Sequence, residues 1–238
     1  MKLSAPIHHL KRRAKAMARK ERIALHEALD RVARIEGFSR WSLLAAQISK
    51  GTSASELLAK LRPGDMLLLG ARPGHGKTLM GMELIAEAMK SGRQGVFLSL
   101  ECVESDVLDY LNAIGGDAAR FNERFTFDNS DAISSDYIVE QLSASPRGTV
   151  AVIDYLQLLD QRRENPVLAE QVRALKSFAE DKGLIFVFIS QIDRSYLLSA
   201  RPCPDMRDVR LPNPVDLKLF DLACFLQDGR AHIASNGV

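Results

Sequence analysis

Apolar positions follow two different rhythms along the chain. Over the first fifty residues they recur every three or four positions, the period of helices with one buried face. Ile7, Leu10, Ala14, Met17 and Ala18 form one stripe and predict a helix near 4–21. Leu25, Leu29, Val32 and Ala33 predict a second near 24–36, stopped by Gly37. Trp41, Leu44, Ala45 and Ile48 predict a third, with Ser39 as its expected N-cap. Lys50 to Ser55 is small and polar and reads as a linker. From Leu57 onward the rhythm changes. Short continuous apolar runs at 66–70, 95–100, 149–154 and 184–190 alternate with helix-period stretches at 77–90, 103–114, 133–144 and 166–182. Such runs fit strands buried on both faces, and their alternation with helices predicts a mainly parallel sheet flanked by helices. A further strand is expected near 124–127, and the last two near 222–226 and 231–234. Pro202, Pro204, Pro212 and Pro214 predict an irregular loop over 201–214. The expected organisation is a helical unit over 1–50 followed by an α/β domain over 57–238.

Composition narrows this picture little, except in its charge. The chain has 238 residues, 46% hydrophobic and 26% charged. That is the range of globular proteins with a sizeable core. No apolar run approaches membrane-spanning length. Lys11, Arg12, Arg13 and Lys15 fall where a signal peptide would need its apolar core. Cys102, Cys203 and Cys224 are odd in number and widely spaced, which suits free thiols in a reducing cytoplasm. The pair His8–His9 reads as surface or helix start and not as a metal site. The net charge of +2 hides an asymmetry. Residues 1–50 hold 12 Lys and Arg against 4 Asp and Glu, a charge of +8; the rest hold 20 against 26, a charge of −6. A basic unit on an acidic body suggests a polyanionic partner, or docking of the unit on the body itself.

The strongest chemical signal is the segment Ala71-Arg72-Pro73-Gly74-His75-Gly76-Lys77-Thr78. It has the form [AG]-x-x-x-x-G-K-[ST], with Ala71 in the first position and Gly70 one residue earlier. It lies between a predicted strand and a predicted helix, the context in which such a loop cradles phosphates with backbone N–H groups. Lys77 is then placed to reach the β- and γ-phosphates of ATP, and the Thr78 hydroxyl to hold Mg²⁺. Asp154 closes the apolar strand 149–154 and is the candidate carboxylate for organising the metal ion. Glu101 follows the strand 95–100, where a carboxylate can orient or deprotonate a water. By position alone it reads equally as a solvated strand-end charge. Gln191 follows the strand 184–190 and can sense a terminal phosphate through its amide. All of these groups fall at carboxyl ends of strands, where open α/β sheets bind ligands.

Four segments carry a more specific resemblance. The phosphate loop, VFLSLE (96–101), VIDYLQLL (152–159) and ALKSFAEDKGLIFVFISQIDR (174–194) stand in the order and approximate spacing of the ATPase domain of DnaB-type replicative DNA helicases. Asp154-Tyr155-Leu156-Gln157 and Ser190-Gln191-Ile192-Asp193-Arg194 are more distinctive than the phosphate loop. The chain therefore resembles that family, a RecA-like class of P-loop NTPases, over about residues 57–210. The resemblance implies ATP and Mg²⁺ as cofactors, with Glu101 as catalytic carboxylate, Asp154 on the metal and Gln191 as sensor. It also implies a cytoplasmic homo-oligomer, with a hexamer as the candidate assembly, acting on single-stranded DNA in replication. In the family the segment after Asp154 faces the DNA strand. Here it holds Arg162 and Arg163, which suit phosphate contacts but read equally as a charged surface loop. Lys11, Arg12 and Arg13 of the basic unit are further DNA-contact candidates.

The chain also departs from the family. The small basic unit is expected to stand in place of the large N-terminal helicase domain. No Lys-x-Arg segment stands near the end to supply an arginine to a neighbouring site; Arg230, Arg207 and Arg210 are the residual candidates. The expected function is an ATP-hydrolysing helicase-like protein acting on DNA. The alternative is a regulatory ATPase, an ATP-gated switch that binds a protein partner without unwinding DNA. A non-enzymatic nucleic-acid binder is a third reading, which Glu101 and Asp154 disfavour.

Overall fold

A computed structural model describes residues 4, 7–48, 52–114, 123–160, 164–193, 195–196, 201, 203–211, 213–227 and 230–235. The helical start comprises α1 (Ile7–Glu21), α2 (Leu25–Ile35) and α3 (Trp41–Ile48). Leu10, Ala14, Ala28, Leu29, Val32, Ala33, Trp41, Leu44 and Ala45 are buried together as a small core of their own. Gly37, at φ 86°, ends α2. Its N–H donates to the Arg34 carbonyl and the Phe38 N–H to that of Ala33, a Schellman closure that fixes where Phe38 emerges. Ser39 does not cap α3 as expected. The helix begins at Trp41, whose N–H donates to the Asp30 carboxylate at 2.8 Å, so an α2 side chain supplies the cap across the helix pair.

The linker expectation over 50–55 is corrected in its second half. Ser53 caps α4 (Ala54–Leu58) in a capping box with Glu56, and Ala54, Leu57 and Leu58 are buried. Residues 49–51 lie outside the described residues.

Among the described residues, seven strands form one sheet: β1 (Met66–Ala71), β2 (Gly95–Ser99), β3 (Phe125–Asp128), β4 (Val150–Asp154), β5 (Ile185–Gln191), β6 (Leu222–Gln227) and β7 (Arg230–Ser235). Their order is β3-β2-β4-β5-β1-β6-β7, parallel except for β7, which pairs antiparallel with β6. The intervening helices are α5 (Lys77–Lys90), α6 (Glu104–Ala113), α7 (Ser135–Leu142) and α8 (Leu168–Lys182). Strand residues alternate between two cores. Leu67, Leu69, Val152 and Val187 face the α5 side, while Met66, Leu68, Ile153, Phe186 and Phe188 face the α8 side. Burial on both faces is why these strands read as unbroken apolar runs. On the α8 side Phe188 meets Phe220 edge-on at 5.6 Å between centroids. That is a favoured arrangement for two ring quadrupoles.

Two glycines are required by close packing. A Cβ on Gly95 would lie 2.4 Å from Ile85 Cγ2, and one on Gly70 would lie 2.7 Å from the Phe225 ring. Each lets a neighbouring side chain lie directly on the backbone of the strand.

Of the expected proline-rich loop, Pro202 and Pro212 lie outside the described residues; the described part holds one 3-10 turn, Met206–Asp208, and is pinned. Arg201 pairs with Asp205 and Asp208, Asp193 N–H donates to the Asp208 carbonyl, and Ile192 bridges to Val209.

Candidate phosphate-binding site

The sheet order gathers the predicted residues. β2, β4, β5 and β1 are consecutive, so Glu101, Asp154, Gln191 and the loop after β1 lie at one end of four adjacent strands. The loop itself turns through Gly74 (φ 76°) and Gly76 (φ 85°). Both lie in the left-handed region that favours glycine. Gly76 caps α5, and a Cβ there would meet nothing within 4 Å, so the space above it is open. His75 N–H donates back to the Arg72 carbonyl at 3.1 Å. The first-turn N–H groups of α5, from Lys77 to Leu79, have no helix carbonyl within reach and point at the loop. Ala71 is the last residue of β1 and pairs in register with Gln191 of β5. Pro73 follows Arg72, whose Nη2 lies 3.4 Å from the Gln227 amide oxygen.

Charged groups converge on this loop. Lys77 is buried, with its Nζ 3.6 Å from Asp154 Oδ1 and 3.7 Å from Glu101 Oε2. Thr78 Oγ1 donates to Asp154 Oδ2 at 2.8 Å. Asp154 is fully buried, and its Oδ1 accepts no hydrogen bond. Glu101 is half-exposed, and its N–H donates to Ser99 Oγ at 3.1 Å. Buried charges are paired or coordinate metals; here the Lys77 ammonium pairs with Asp154 Oδ1 at 3.6 Å and leaves that oxygen without a hydrogen bond. Among the described residues no group of three or more His, Cys, Asp or Glu is arranged around a metal. A hard divalent ion at Thr78 and Asp154 would therefore draw its remaining oxygens from phosphates and water, as Mg²⁺ ordinarily does. The residues present fit such an ion.

Gln191 is tied to the loop that follows it. Arg210 Nη1 donates to its Oε1 at 3.4 Å, and Arg210 N–H to its carbonyl at 2.8 Å. Gln157 donates from Nε2 to the Arg210 carbonyl. Arg207 pairs with Asp205 at 2.6 Å, so both arginines are engaged within their own chain. Cys102, next to Glu101, is buried, and burial with the nearby Asp154 carboxylate pushes its thiol up to about 11.

Residues 59–202, more than half of the chain, match the protein-family model described as ATPase: KaiC. The chain belongs to this ATPase family. The Replicative DNA helicase DnaB of Leifsonia xyli is 26% identical over 190 residues, which are 67% of this chain and 42% of that protein. The chain thus spans less than half the length of that relative. A solved DnaB-like replicative helicase, described with its interactions with primase, superimposes at a TM-score of 0.59 with 16% identity, over 92% of this chain and 66% of that one. A KaiC-like protein from Pyrococcus horikoshii superimposes at 0.51 with 18% identity, over 68% of this chain and 70% of that one. These structures share the RecA-like fold, and the resemblance to DnaB-type ATPase domains stands.

Some residues at the site could not be read from sequence. Arg40, Trp41, His26 and Asp30 of the helical unit line a cavity with Gly74, Gly76, Lys77 and Thr78. Arg40 pairs with Asp106 of α6 and lies 5.3 Å from the Tyr110 ring centre. No motif marks these residues; the packing of α2 and of the chain around the start of α3 beside the loop brings them there. Of the DNA-contact candidates, Arg12 and Arg13 are exposed on α1 and Lys11 is half-buried, all away from the small core. Arg162 and Arg163 lie outside the described residues. Arg230 stands at the start of β7 and lines a second cavity, one that His75 of its own chain also lines.

Proposed function

We propose that the chain binds ATP with Mg²⁺, hydrolyses it, and couples this to DNA in the manner of a DnaB-type helicase. The observation that carries the reading is the convergence on Asp154: Thr78 Oγ1 at 2.8 Å, Lys77 at 3.6 Å and one buried oxygen left without a hydrogen bond. In this reading Ala71 to Thr78 wrap the phosphates, and Lys77 moves from the two carboxylates to the β- and γ-phosphate oxygens. Mg²⁺, when bound with the nucleotide on Thr78 and Asp154, neutralises phosphate charge. Glu101, half-exposed beside the loop, orients the attacking water and takes its proton. Gln191 donates an amide hydrogen to the terminal phosphate, and its bond to Arg210 would carry that contact to the following loop. Support for DNA as partner comes from the named relative and from the basic helical unit, with Arg12 and Arg13 exposed. A homo-oligomer, a cytoplasmic location and a role in replication belong to the same proposal.

A second reading is favoured by one observation. The helical unit sits on the phosphate loop, with Leu29 Cδ1 only 3.4 Å from where a Cβ of Gly74 would lie. Such contact suits an ATP-gated switch that presents or withdraws the unit to a protein partner. Steady-state ATP hydrolysis with and without single-stranded DNA separates the two. Stimulation by DNA is expected for the helicase-like reading. Slow hydrolysis indifferent to DNA favours the switch, and no hydrolysis at all would overturn the catalytic assignment.

A further inference from the structure

Two cavities adjoin the phosphate loop, and the helical unit roofs both. The smaller, about 130 Å³, lies over Gly76, Lys77 and Thr78 beneath Asp30, Arg40 and Trp41. The larger, about 750 Å³, begins at His75 and Gly76 and runs along α5 past Leu79, Met80 and Glu83 to Leu226 and Arg230. Its roof is formed by Phe38, Ser42 and Leu43. Ser42, Gly76 and Leu79 line both cavities, so the two spaces are direct neighbours. We propose that the larger cavity holds the nucleoside of the bound nucleotide, which makes the N-terminal helical unit the roof of the nucleotide site. The inference rests on the ATP-binding reading above.

Several observations support it. The larger cavity is of the size that small-molecule sites ordinarily have. The lining is of the mixed kind such sites use, with Phe38, Leu43, Leu79 and Met80 for the faces of a base and a few polar groups for orientation. Burial, with Glu87 nearby, holds the Glu83 carboxyl above its usual range, which suits a hydrogen bond to a neutral hydroxyl or amino group. The roof is fixed and not merely adjacent. Leu43 packs against the core on the α5 side, Arg40 pairs with Asp106, and the Schellman closure at Gly37 sets Phe38 in place. A ligand held by its phosphates at Lys77 and Thr78 thus has a half-open cleft next to it, past Gly76 and Leu79.

Trp41 is the sole tryptophan and lines the smaller cavity, so its fluorescence in the full-length protein reports on binding. The test compares Mg²⁺-ATP with inorganic tripolyphosphate, which has the phosphates and no nucleoside. Wild type is expected to bind ATP more tightly. Phe38→Ala and Glu83→Gln should each weaken ATP by about tenfold, equivalent to about 1.4 kcal/mol, and leave tripolyphosphate within about twofold. Lys77→Ala should weaken both ligands. Glu83→Gln keeps size and shape, so it carries the test if Phe38→Ala loses its fold by circular dichroism. Equal affinity of wild type for the two ligands would overturn the nucleoside site while leaving the phosphate-binding reading intact. Variants that weaken neither ligand, or both equally, would do the same. Failure of wild type to bind either ligand would overturn the phosphate reading, and the inference with it.

Discussion

At the scale of single residues, Lys77, Glu101 and Asp154 are held in one charge cluster but should fail differently when changed. Lys77→Ala is expected to abolish Mg²⁺-ATP binding, measured by Trp41 fluorescence or calorimetry. Some loss of thermal stability should accompany it, because the ammonium is the cation nearest the buried Asp154 carboxylate. Unchanged ATP binding in a folded variant would remove Lys77 from the site. Glu101→Gln should still bind ATP and hydrolyse it about 10²–10⁴ times more slowly, the usual contribution of general-base assistance. Asp154→Asn should instead raise the Mg²⁺ concentration needed for binding, so a metal titration tells the two carboxylates apart. Normal turnover by the glutamine variant would mean that another group activates the water. Cys102 offers a test with no nucleotide. Its side chain is buried and its thiol is pushed up to about 11. It should stay unmodified by a maleimide under mildly alkaline conditions in the native protein and react on unfolding. The candidate site positions were legible in sequence because each chemical group sits within two residues of a strand end or inside one contiguous loop. Arg40 was not, because its partner Asp106 lies 66 positions away and nothing local marks either residue.

At the scale of elements, the apolar rhythm located the helices and strands because each depends on near neighbours. Its boundaries shifted where a side chain from elsewhere intervened. The cap of α3 is Asp30 and not Ser39, and the polar stretch before α4 is ordered by Ser53 and Glu56. The contact between α5 and the sheet is a matter of shape that periodicity does not report. Gly95 admits the Ile85 side chain onto β2, and Ile85, branched at Cβ within a helix, has little rotamer freedom to move aside. Gly95→Ala is therefore expected to destabilise the fold by about 1–3 kcal/mol, the usual range for overpacking. Denaturant unfolding should show a lowered midpoint with an unchanged slope. An unaltered midpoint would mean that α5 can shift off the sheet at little cost.

At the scale of the whole molecule, the basic unit and the acidic body raise the question of what the unit's charge serves. One face of the unit meets the body through Leu29, Arg40 and Leu43, while Arg12, Arg13 and Lys15 remain exposed on α1. If the basic residues of α1 contact single-stranded DNA, replacing Lys11, Arg12 and Arg13 together by Gln should weaken binding. It should also flatten the dependence of log affinity on log salt by about 2, roughly 0.7 for each lost phosphate contact. An unchanged slope would assign the unit to roofing the nucleotide site alone. The sequence by itself determined the order of elements, three helices followed by alternating strands and helices, and it marked the candidate phosphate loop and the polar groups that close β4 and β5. Those features are written in contiguous residues, where spacing and side-chain chemistry suffice. Only the tertiary structure decided that β4 and β5 lie between β2 and β1, which brings Glu101, Asp154 and Gln191 to the loop. It alone decided that the helical unit settles over that loop. Strand order and docking depend on contacts between residues far apart in the chain, such as Lys77 with Asp154 and Arg40 with Asp106, and no local pattern encodes which distant surfaces will meet.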